Sequence, residues 1–283
     1  MTFKSLLFGT SGIPLSTPEK GRSTQTGIQH VRKLGLDAME LEFVQSVNIK
    51  QEKAPSVKKT AEESNVALTC HGQYFINLAA FEQDKIKASI QRILNAATVA
   101  DACGAYSMTF HPAFYQKQDP QKVYDTVKKH MKEVIEKVKD AGLKIWIRPE
   151  TTGKPTQFGD LKELCQLSAE FDQVLPCIDF AHLHARTAGK LNTKEEFDEM
   201  LSFYEKTLGK TALKNMHIHL AGINYTEKGE RNHLPLKESD MNYKDLLKTL
   251  QEFGCAGVLI CESPNIEQDA LLMKKYYFDI EKH

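Results

Sequence analysis

A strict alternation of short apolar runs with longer segments of helical periodicity most limits how this chain can fold. We predict eight β-strands, at residues 6–8, 38–42, 66–71, 106–111, 144–150, 174–179, 215–219 and 257–262. We predict eight helices, near residues 25–34, 51–64, 82–103, 120–141, 160–170, 193–208, 243–253 and 265–281. Eight consecutive β-α units predict a parallel sheet closed into a (β/α)8 TIM barrel, an α/β fold. A doubly wound open sheet is the alternative, although no GxGxxG motif follows the first strand.

Composition and charge narrow the class of protein. No linker or low-complexity tract divides the chain, so we predict one domain over residues 1–283. Lys and Arg together number 37, as do Asp and Glu, so the net charge gives no support to nucleic-acid binding. A local basic rim could still contact phosphates. The six cysteines include no CxxC pair and are typical of reduced core thiols without a catalytic role. The sequence contains no apolar run long enough to span a membrane and no signal-peptide pattern, so we expect a cytoplasmic protein with no membrane partner. We also expect a monomer.

Six consecutive predicted strands, the third to the eighth, end in a side chain that can bind a metal ion. These side chains are His71, His111, Glu150, Asp179, His219 and Glu262. In a TIM barrel the carboxyl ends of the strands form the active site, so we expect the six to converge. A single His or Glu at a strand end is commonly a hydrogen-bonded polar group. Six together would repel one another or remain unpaired without a cation, which favours a metal centre over a hydrogen-bonded network.

The alternation of side chains within the strands supports this prediction. In the seventh strand His217 and His219 share one face, while Met216 and Ile218 share the other. A strand buried on both sides is normally apolar on both, so the polar face is predicted to point into the barrel. Imidazoles mixed with carboxylates suit zinc first, then manganese or iron. Because six donors exceed what one tetrahedral zinc uses, we expect two or more ions and a bridging carboxylate.

Two further segments add candidate ligands. In CIDFAHLHAR, His182 follows Asp179 by three residues and is predicted in the loop after the sixth strand. In KGERNHLPL, Glu230 and His233 lie in a long segment after the seventh strand, and long loops in compact barrels are usually functional. Glu230 alone is equally well interpreted as a solvated surface charge.

The segments CHGQYFINLA, FHPA, PETTG, CIDFAHLHA, HIHLAG and CESP follow one another within residues 66–264. Taken together and in this order, they resemble the motifs of the endonuclease IV family of zinc-dependent apurinic/apyrimidinic endonucleases. That family belongs to the xylose-isomerase-like barrel group, so the resemblance implies a barrel of that kind. It also implies double-stranded DNA containing abasic sites as the partner, and a role in base excision repair.

The resemblance implies a centre of two or three zinc ions, with manganese as the alternative metal. The first ion would be held by His71, His111 and Glu150. Glu150 would bridge to a second ion, whose other ligands would be Asp179, His219 and Glu262. The resemblance makes Glu150 and Glu262 the catalytic residues.

The third ion is where the chain departs from the family. His182 would hold it with an acid and a histidine, for which the family's pattern is Asp-x-His. Here ERNH places Asn232 where that histidine would fall and His233 one position later. Three outcomes follow: the site uses Glu230 with His233, binds its ion weakly, or is lost.

Substrate contacts are implied in the same way. Tyr74 and Asn77 match positions that the family uses near the flipped abasic nucleotide. Arg186 and Arg231 are predicted on segments at the catalytic face, where they can contact phosphates, although each singly is equally a solvated charge.

Other departures concern the first two strands and the fifth. Glu40 and Glu42 share the inward parity of the second strand and add carboxylates that the family pattern lacks. Residues 9–27 do not resemble the DNA-intercalating loop of well-characterised members. Arg148 lies two residues before Glu150 and is predicted to orient a carboxylate, or else to contact a phosphate.

The leading hypothesis is therefore metal-dependent hydrolysis of the phosphodiester 5′ to an abasic site, with selectivity from a pocket too tight for a sugar that retains its base. A metal-dependent sugar isomerase or epimerase on the same barrel is the alternative, which the extra Glu40 and Glu42 and the neutral net charge favour. A third hypothesis is a metal-binding barrel that assembles on nucleic acid without catalysis, which an incomplete ERNH site would favour.

Overall fold

The strands of this chain form a barrel in the computed structural model, which describes residues 3–280. In chain order they are β1 (Leu6–Ser11), β2 (Ala38–Glu42), β3 (Ala67–His71), β4 (Ser107–Phe110), β5 (Ala113–Phe114), β6 (Trp146–Pro149), β7 (Gln157–Phe158), β8 (Cys177–Asp179), β9 (Met216–Leu220), β10 (Gly222–Thr226), β11 (Gly229–Leu234) and β12 (Gly257–Cys261). Short pairs β5–β7 and β10–β11 lie outside the main sheet.

The helices alternate with the strands of the barrel. They are α1 (Thr24–Lys33), α2 (Ala54–Ser64), α3 (Gln83–Ala102), α4 (Pro120–Asp140), α5 (Leu161–Ala169), α6 (Phe180–Arg186), α7 (Lys194–Leu208), α8 (Lys210–Leu213), α9 (Tyr243–Glu252) and α10 (Glu267–Ile280), with single 3-10 turns at Gln51–Lys53 and Leu236–Glu238. All eight predicted helices are confirmed; residue 281, the predicted end of the last, lies outside the described residues. No helix within residues 3–280 has both the length and the apolar character needed to cross a bilayer.

The main sheet has eight parallel strands in the order β6-β4-β3-β2-β1-β12-β9-β8. Its two ends meet through isolated parallel bridges, Ile147 with Val174 and Glu150 with Cys177, so the sheet is a nearly closed barrel. The predicted (β/α)8 architecture is therefore confirmed, and the open doubly wound sheet is wrong. Closure puts the carboxyl ends of all eight strands on one rim.

Helix α4 shows how the outer layer forms. Asp119 caps it by accepting from the backbone N–H of Lys122 at 3.1 Å, and proline occupies the first turn. One face is apolar at spacings of three or four residues and is buried: Val123, Val127, Met131, Val134 and Val138. Each such side chain contributes roughly 1.5–3 kcal/mol on leaving water, so the stripe fixes the helix against the sheet.

Two segments after the sixth and seventh barrel strands differ from the sequence prediction. His182 lies in helix α6 rather than in a loop, because the Asp179 carboxylate accepts from the His182 backbone N–H at 2.7 Å and starts the helix at once. Glu230 and His233 lie on strand β11 of a hairpin with β10 rather than in an irregular loop. Both elements hold their side chains over the rim of the barrel.

Candidate metal centre

Three of the strand-tip residues form the first group of donors. His71 Nε2 lies 3.2 Å from Glu150 Oε2, and His111 Nε2 lies 3.5 Å from Glu150 Oε1. The three residues each offer a ligand atom within 4.8 Å of the others. His71 Nδ1 is 2.7 Å from the carbonyl of Gly72, so Nδ1–H donates there and Nε2 keeps its lone pair for an ion.

A second group shares Glu150 with the first. It consists of Glu150, Asp179, His219 and Glu262, whose ligand atoms also lie within 4.8 Å of one another. His219 Nδ1 is 3.3 Å from a carboxylate oxygen of Glu150 and 3.3 Å from one of Glu262. All six predicted tip residues are therefore brought together, and Glu150 is common to the first and second groups.

A third group lies between α6 and the β10–β11 hairpin. It contains Asp179, His182 and His233, again within 4.8 Å. The Nε2 atoms of the two histidines are 3.4 Å apart, and Glu230 Oε2 is 3.7 Å from His182 Nε2. His182 Nδ1–H donates to the carbonyl of Thr151 at 2.9 Å, which leaves Nε2 as the free donor. The structure brings His233 into this group and places Glu230 beside His182 but outside the group, so the part that Glu230 plays at the third site stays a prediction.

A β-bulge explains how ERNH forms this group. In the hairpin Asn224 pairs with Asn232 and Tyr225 pairs with Glu230, so Arg231 is an extra residue on β11. Residues three apart on a regular strand face opposite sides, but the extra residue restores the same side for Glu230 and His233. Exposed Asn232 donates to the His233 carbonyl and takes no place among the donors.

The buried acids and imidazoles of the centre shift one another's pKa values. Burial raises the pKa of the Glu150 carboxyl, but the imidazoles of His219 and His111 outweigh burial and hold it well below its usual range. Burial lowers the pKa of His71 and His182, whereas the neighbouring carboxylates more than reverse this, to about 10 and about 9. Protons on imidazoles thus balance buried carboxylates in the metal-free protein, and divalent ions would replace those protons.

The two additional acids of β2 lie beside the centre. Glu40 is fully buried, with Oε2 accepting from the Thr69 hydroxyl at 2.8 Å. Glu42 Oε1 is buried without a hydrogen-bond partner. Burial first, and then the Glu40 charge, raise the pKa of Glu42 to about 8. The inward orientation predicted for Glu40 is confirmed by its contacts with other inward-facing residues.

The role predicted for Arg148 is wrong. Its guanidinium donates to the carbonyl of Pro176 at 3.3 Å, and to the carbonyl and side-chain oxygens of Asn215 at 2.7 and 3.0 Å. Two residues of β-strand span about 6.6 Å, so a side chain two positions before Glu150 lies a full layer beneath it. Arg148 therefore binds the lower part of the barrel together rather than orienting a carboxylate at the rim.

The four predicted substrate-binding residues lie in different surroundings. Tyr74 is 53% exposed, with its ring 5.7 Å from the His71 ring. Asn77 is partly buried and accepts from the backbone N–H of Ala79 at 3.1 Å. Arg231 is exposed on β11, whereas Arg186 donates to the Thr152 hydroxyl and to backbone carbonyls after β6. Their contacts with substrate remain predictions, and Arg186 also has a structural task.

Sequence reasoning missed one participant, Cys177. Its ligand atom lies within 4.8 Å of those of His217 and His219, below the rim. The sequence does contain a signal for it: Cys177 precedes Asp179 by two residues on β8, so the two side chains face the same side of the strand. Buried cysteines are usually inert, which is why composition alone gave it no role.

Comparison with known sequences gives a consistent family assignment. A family model described as xylose isomerase-like TIM barrel matches residues 28–276. An uncharacterized protein of Methanocaldococcus jannaschii is 42% identical over 275 residues, which cover 97% of this chain and 98% of that protein. A protein of the aster yellows witches'-broom phytoplasma named probable endonuclease 4 is 25% identical over 278 residues, 93% of this chain and 92% of that protein.

Solved structures resemble the fold closely. A D-tagatose 3-epimerase-like protein superposes with a TM-score of 0.75 at 20% identity, over 97% of this chain and 98% of that one. Endonuclease IV from Thermus thermophilus superposes with a TM-score of 0.71 at 17% identity, over 97% of this chain and 100% of that one. At such identities the likeness concerns the barrel, and the chemistry has to be argued from the side chains.

Proposed function

Because this chain belongs to the xylose isomerase-like TIM barrel family, we propose that it is a zinc-dependent phosphodiesterase that cleaves DNA 5′ to abasic sites. The observation that carries the proposal is the overlap of three donor groups. Glu150 belongs to the first and second groups, and Asp179 belongs to the second and third. Overlapping groups suit several ions held close together, as hydrolysis of a charged phosphodiester requires.

The donor set also bears on the metal. Imidazole and carboxylate donors in about equal numbers suit zinc, with manganese as the alternative. Bound ions of this kind polarise phosphoryl oxygens and bring the pKa of water to about 7. Glu150 and Asp179 would fix the spacing of neighbouring ions, while His71 and His182 are locked in orientation by the backbone carbonyls that accept from their Nδ1–H groups.

Glu262 is placed to handle a proton. Its side chain is 13% exposed at the mouth of the site, with Oε1 turned toward His219 and Oε2 3.9 Å from His233 Nδ1. Burial raises the pKa of Glu262, which makes this carboxylate a stronger base than an exposed one. We assign Glu262 Oε2 the role of accepting the proton of the attacking water.

The proposal is tested with a duplex that contains one abasic site. We expect zinc-loaded protein to nick the strand at that site, and Glu262→Gln to lower the rate about 10²–10⁴-fold with the fold intact by circular dichroism. Glu227→Gln, an exposed glutamate in the β10–β11 turn, is the matched control and should retain the rate. An absence of nicking by protein that holds its full complement of metal would overturn the proposal.

A second candidate function is supported by one group of residues. Glu150, Asp179, His219 and Glu262 can hold a single ion without the outer histidines, and two carboxylates facing one ion suit proton transfer on a sugar. The resemblance to a D-tagatose 3-epimerase-like protein agrees with this alternative. Turnover of a ketose by the manganese-loaded protein, together with no nicking of abasic DNA, would establish it instead.

A further inference from the structure

A fourth group of donors lies inside the barrel, one layer of side chains below the strand tips. Cys177, His217 and His219 each place a ligand atom within 4.8 Å of the others, and all are fully buried. His217 precedes His219 by two residues, and Cys177 likewise precedes Asp179. The period of two that aligns the tip residues therefore aligns this deeper layer as well.

Glu40 reaches the two histidines of this group from the opposite wall. In the ring of eight strands β2 stands directly across from β8. Glu40 Oε2 lies 3.0 Å from His217 Nε2, and Oε1 lies 2.9 Å from His219 Nε2. The Ser107 hydroxyl occupies His217 Nδ1 at 2.9 Å, so Nε2 is the atom directed at the cluster. His219 turns Nδ1 toward the rim and Nε2 toward this layer.

Three polar atoms of this layer contact one another as ion pairs but make no well-aligned hydrogen bond. Among the residues that the structure describes, Glu40 Oε1, His217 Nε2 and His219 Nε2 are buried without a hydrogen-bond partner, although they lie close together. A cation held between the Glu40 carboxylate and the two imidazole nitrogens would satisfy all three atoms at once, in place of the protons that they share without it.

We propose that Glu40, Cys177, His217 and His219 bind a divalent ion of the zinc type; when the rim ion is bound as well, His219 would be an imidazolate, with its ring proton released to solvent. A thiolate, two imidazoles and a carboxylate are donors that zinc takes in closed four-coordinate sites. The thiolate distinguishes this site from the rim, where the candidate ligands are nitrogen and oxygen. Because all four residues are fully buried, no coordination position opens toward a substrate, and the ion is structural.

The location explains what such an ion would stabilise. Strand β8 has three residues, and its junction with β6 consists of two isolated bridges, which makes this junction the weakest part of the barrel wall. An ion held by Cys177 on β8, by the histidines of β9 and by Glu40 on β2 ties that part of the wall to the opposite side. The ion would therefore be incorporated as the chain folds and would be released only on unfolding.

Cobalt substitution tests the proposal independently of enzymatic activity. Full-length protein refolded with Co²⁺ should show an intense near-ultraviolet band from thiolate-to-cobalt charge transfer, which nitrogen and oxygen donors at the rim do not produce. The visible ligand-field bands report loading in general. A protein with visible bands but no charge-transfer band would overturn the proposal, whatever its action on abasic DNA.

Cysteine variants identify the thiolate that produces the charge-transfer band. Cys177→Ser should abolish the charge-transfer band and lower the metal content by one ion per chain by elemental analysis. Cys165→Ser, at an equally buried cysteine on α5, is the matched control and should keep both. If Cys177→Ser does not fold, the spectrum of the unaltered protein still decides. Retention of the band in folded Cys177→Ser would refute the assignment of the ligand.

Discussion

Gly153 offers a test of the third donor group in which no candidate ligand is itself substituted. A Cβ atom at position 153 would lie 2.5 Å from Glu230 Oε2, 2.7 Å from Glu230 Cβ and 3.1 Å from His182 Cδ2. Carbon atoms do not approach such neighbours within 3.0 Å, so in Gly153→Ala the new Cβ atom and the Glu230 carboxylate must move apart by at least about 0.5 Å. Metal–ligand distances tolerate only about 0.2 Å, so the displacement exceeds what a bound ion accepts.

The expected loss is confined to one ion. We expect Gly153→Ala to weaken binding at the third group at least 10–100-fold, about the effect of losing a supporting contact to a ligand. The two most crowded atoms belong to Glu230, on a hairpin outside the eight-stranded sheet, so the free energy of unfolding should fall by no more than about 1–3 kcal/mol. Elemental analysis after dialysis should find one ion fewer per chain, and nicking of abasic DNA should slow in parallel.

A steric control separates this effect from crowding in general. In Gly27→Ala the new Cβ would lie 2.9 Å from Ile13 Cγ1, on α1 and away from the hairpin, so the metal content should stay unchanged. If Gly153→Ala retains both the metal affinity and the metal content of the unaltered protein, then Glu230 is not a ligand and our interpretation of the bulge is wrong.

Two other substitutions probe the surroundings of the centre. Arg186→Lys should lower the free energy of unfolding by about 1–3 kcal/mol in a urea titration. The reason is that lysine cannot make both hydrogen bonds of the guanidinium, which are 3.0 Å to the Thr152 hydroxyl and 2.8 Å to the Gln157 carbonyl. An unchanged urea midpoint would argue against a structural role for Arg186. In metal-free protein, burial and the Glu40 charge raise the pKa of Glu42 to about 8. Between pH of about 4 and 8 the unfolded chain has therefore released the Glu42 proton while the folded chain still holds it. The free energy of unfolding consequently falls as the pH rises through this range. Glu42→Gln should therefore melt at a higher temperature than the unaltered protein at pH 8 but not at pH 4, and a gain independent of pH would contradict the raised pKa.

Much of the site follows from local pattern. The period of two within each strand determines which side chains face inward, and strict β-α alternation brings all strand ends to the same rim. For that reason His71, His111, Glu150, Asp179 and their counterparts could be predicted before any contact was known. The grouping of these residues around one centre needs no long-range information beyond the closure of the barrel.

Other parts of the centre depend on contacts between distant segments. Whether Glu230 and His233 share a side is decided by the bulge at Arg231, which exists only because β11 pairs with β10 in that register. The partners of Arg148 depend on which backbone carbonyls close the lower end of the barrel. Neither can be derived from spacing along the chain.

The contacts of Glu40 with the histidines of β9 show the same difference between local and long-range information. Parity in the sequence determined that each of these side chains faces inward. Only the tertiary structure decided that β2 stands across from β8, and at which height their side chains meet, because the stagger between strands is set by the closure of the whole sheet. Direction is a local property of a strand, whereas proximity across the barrel is a property of all eight strands together.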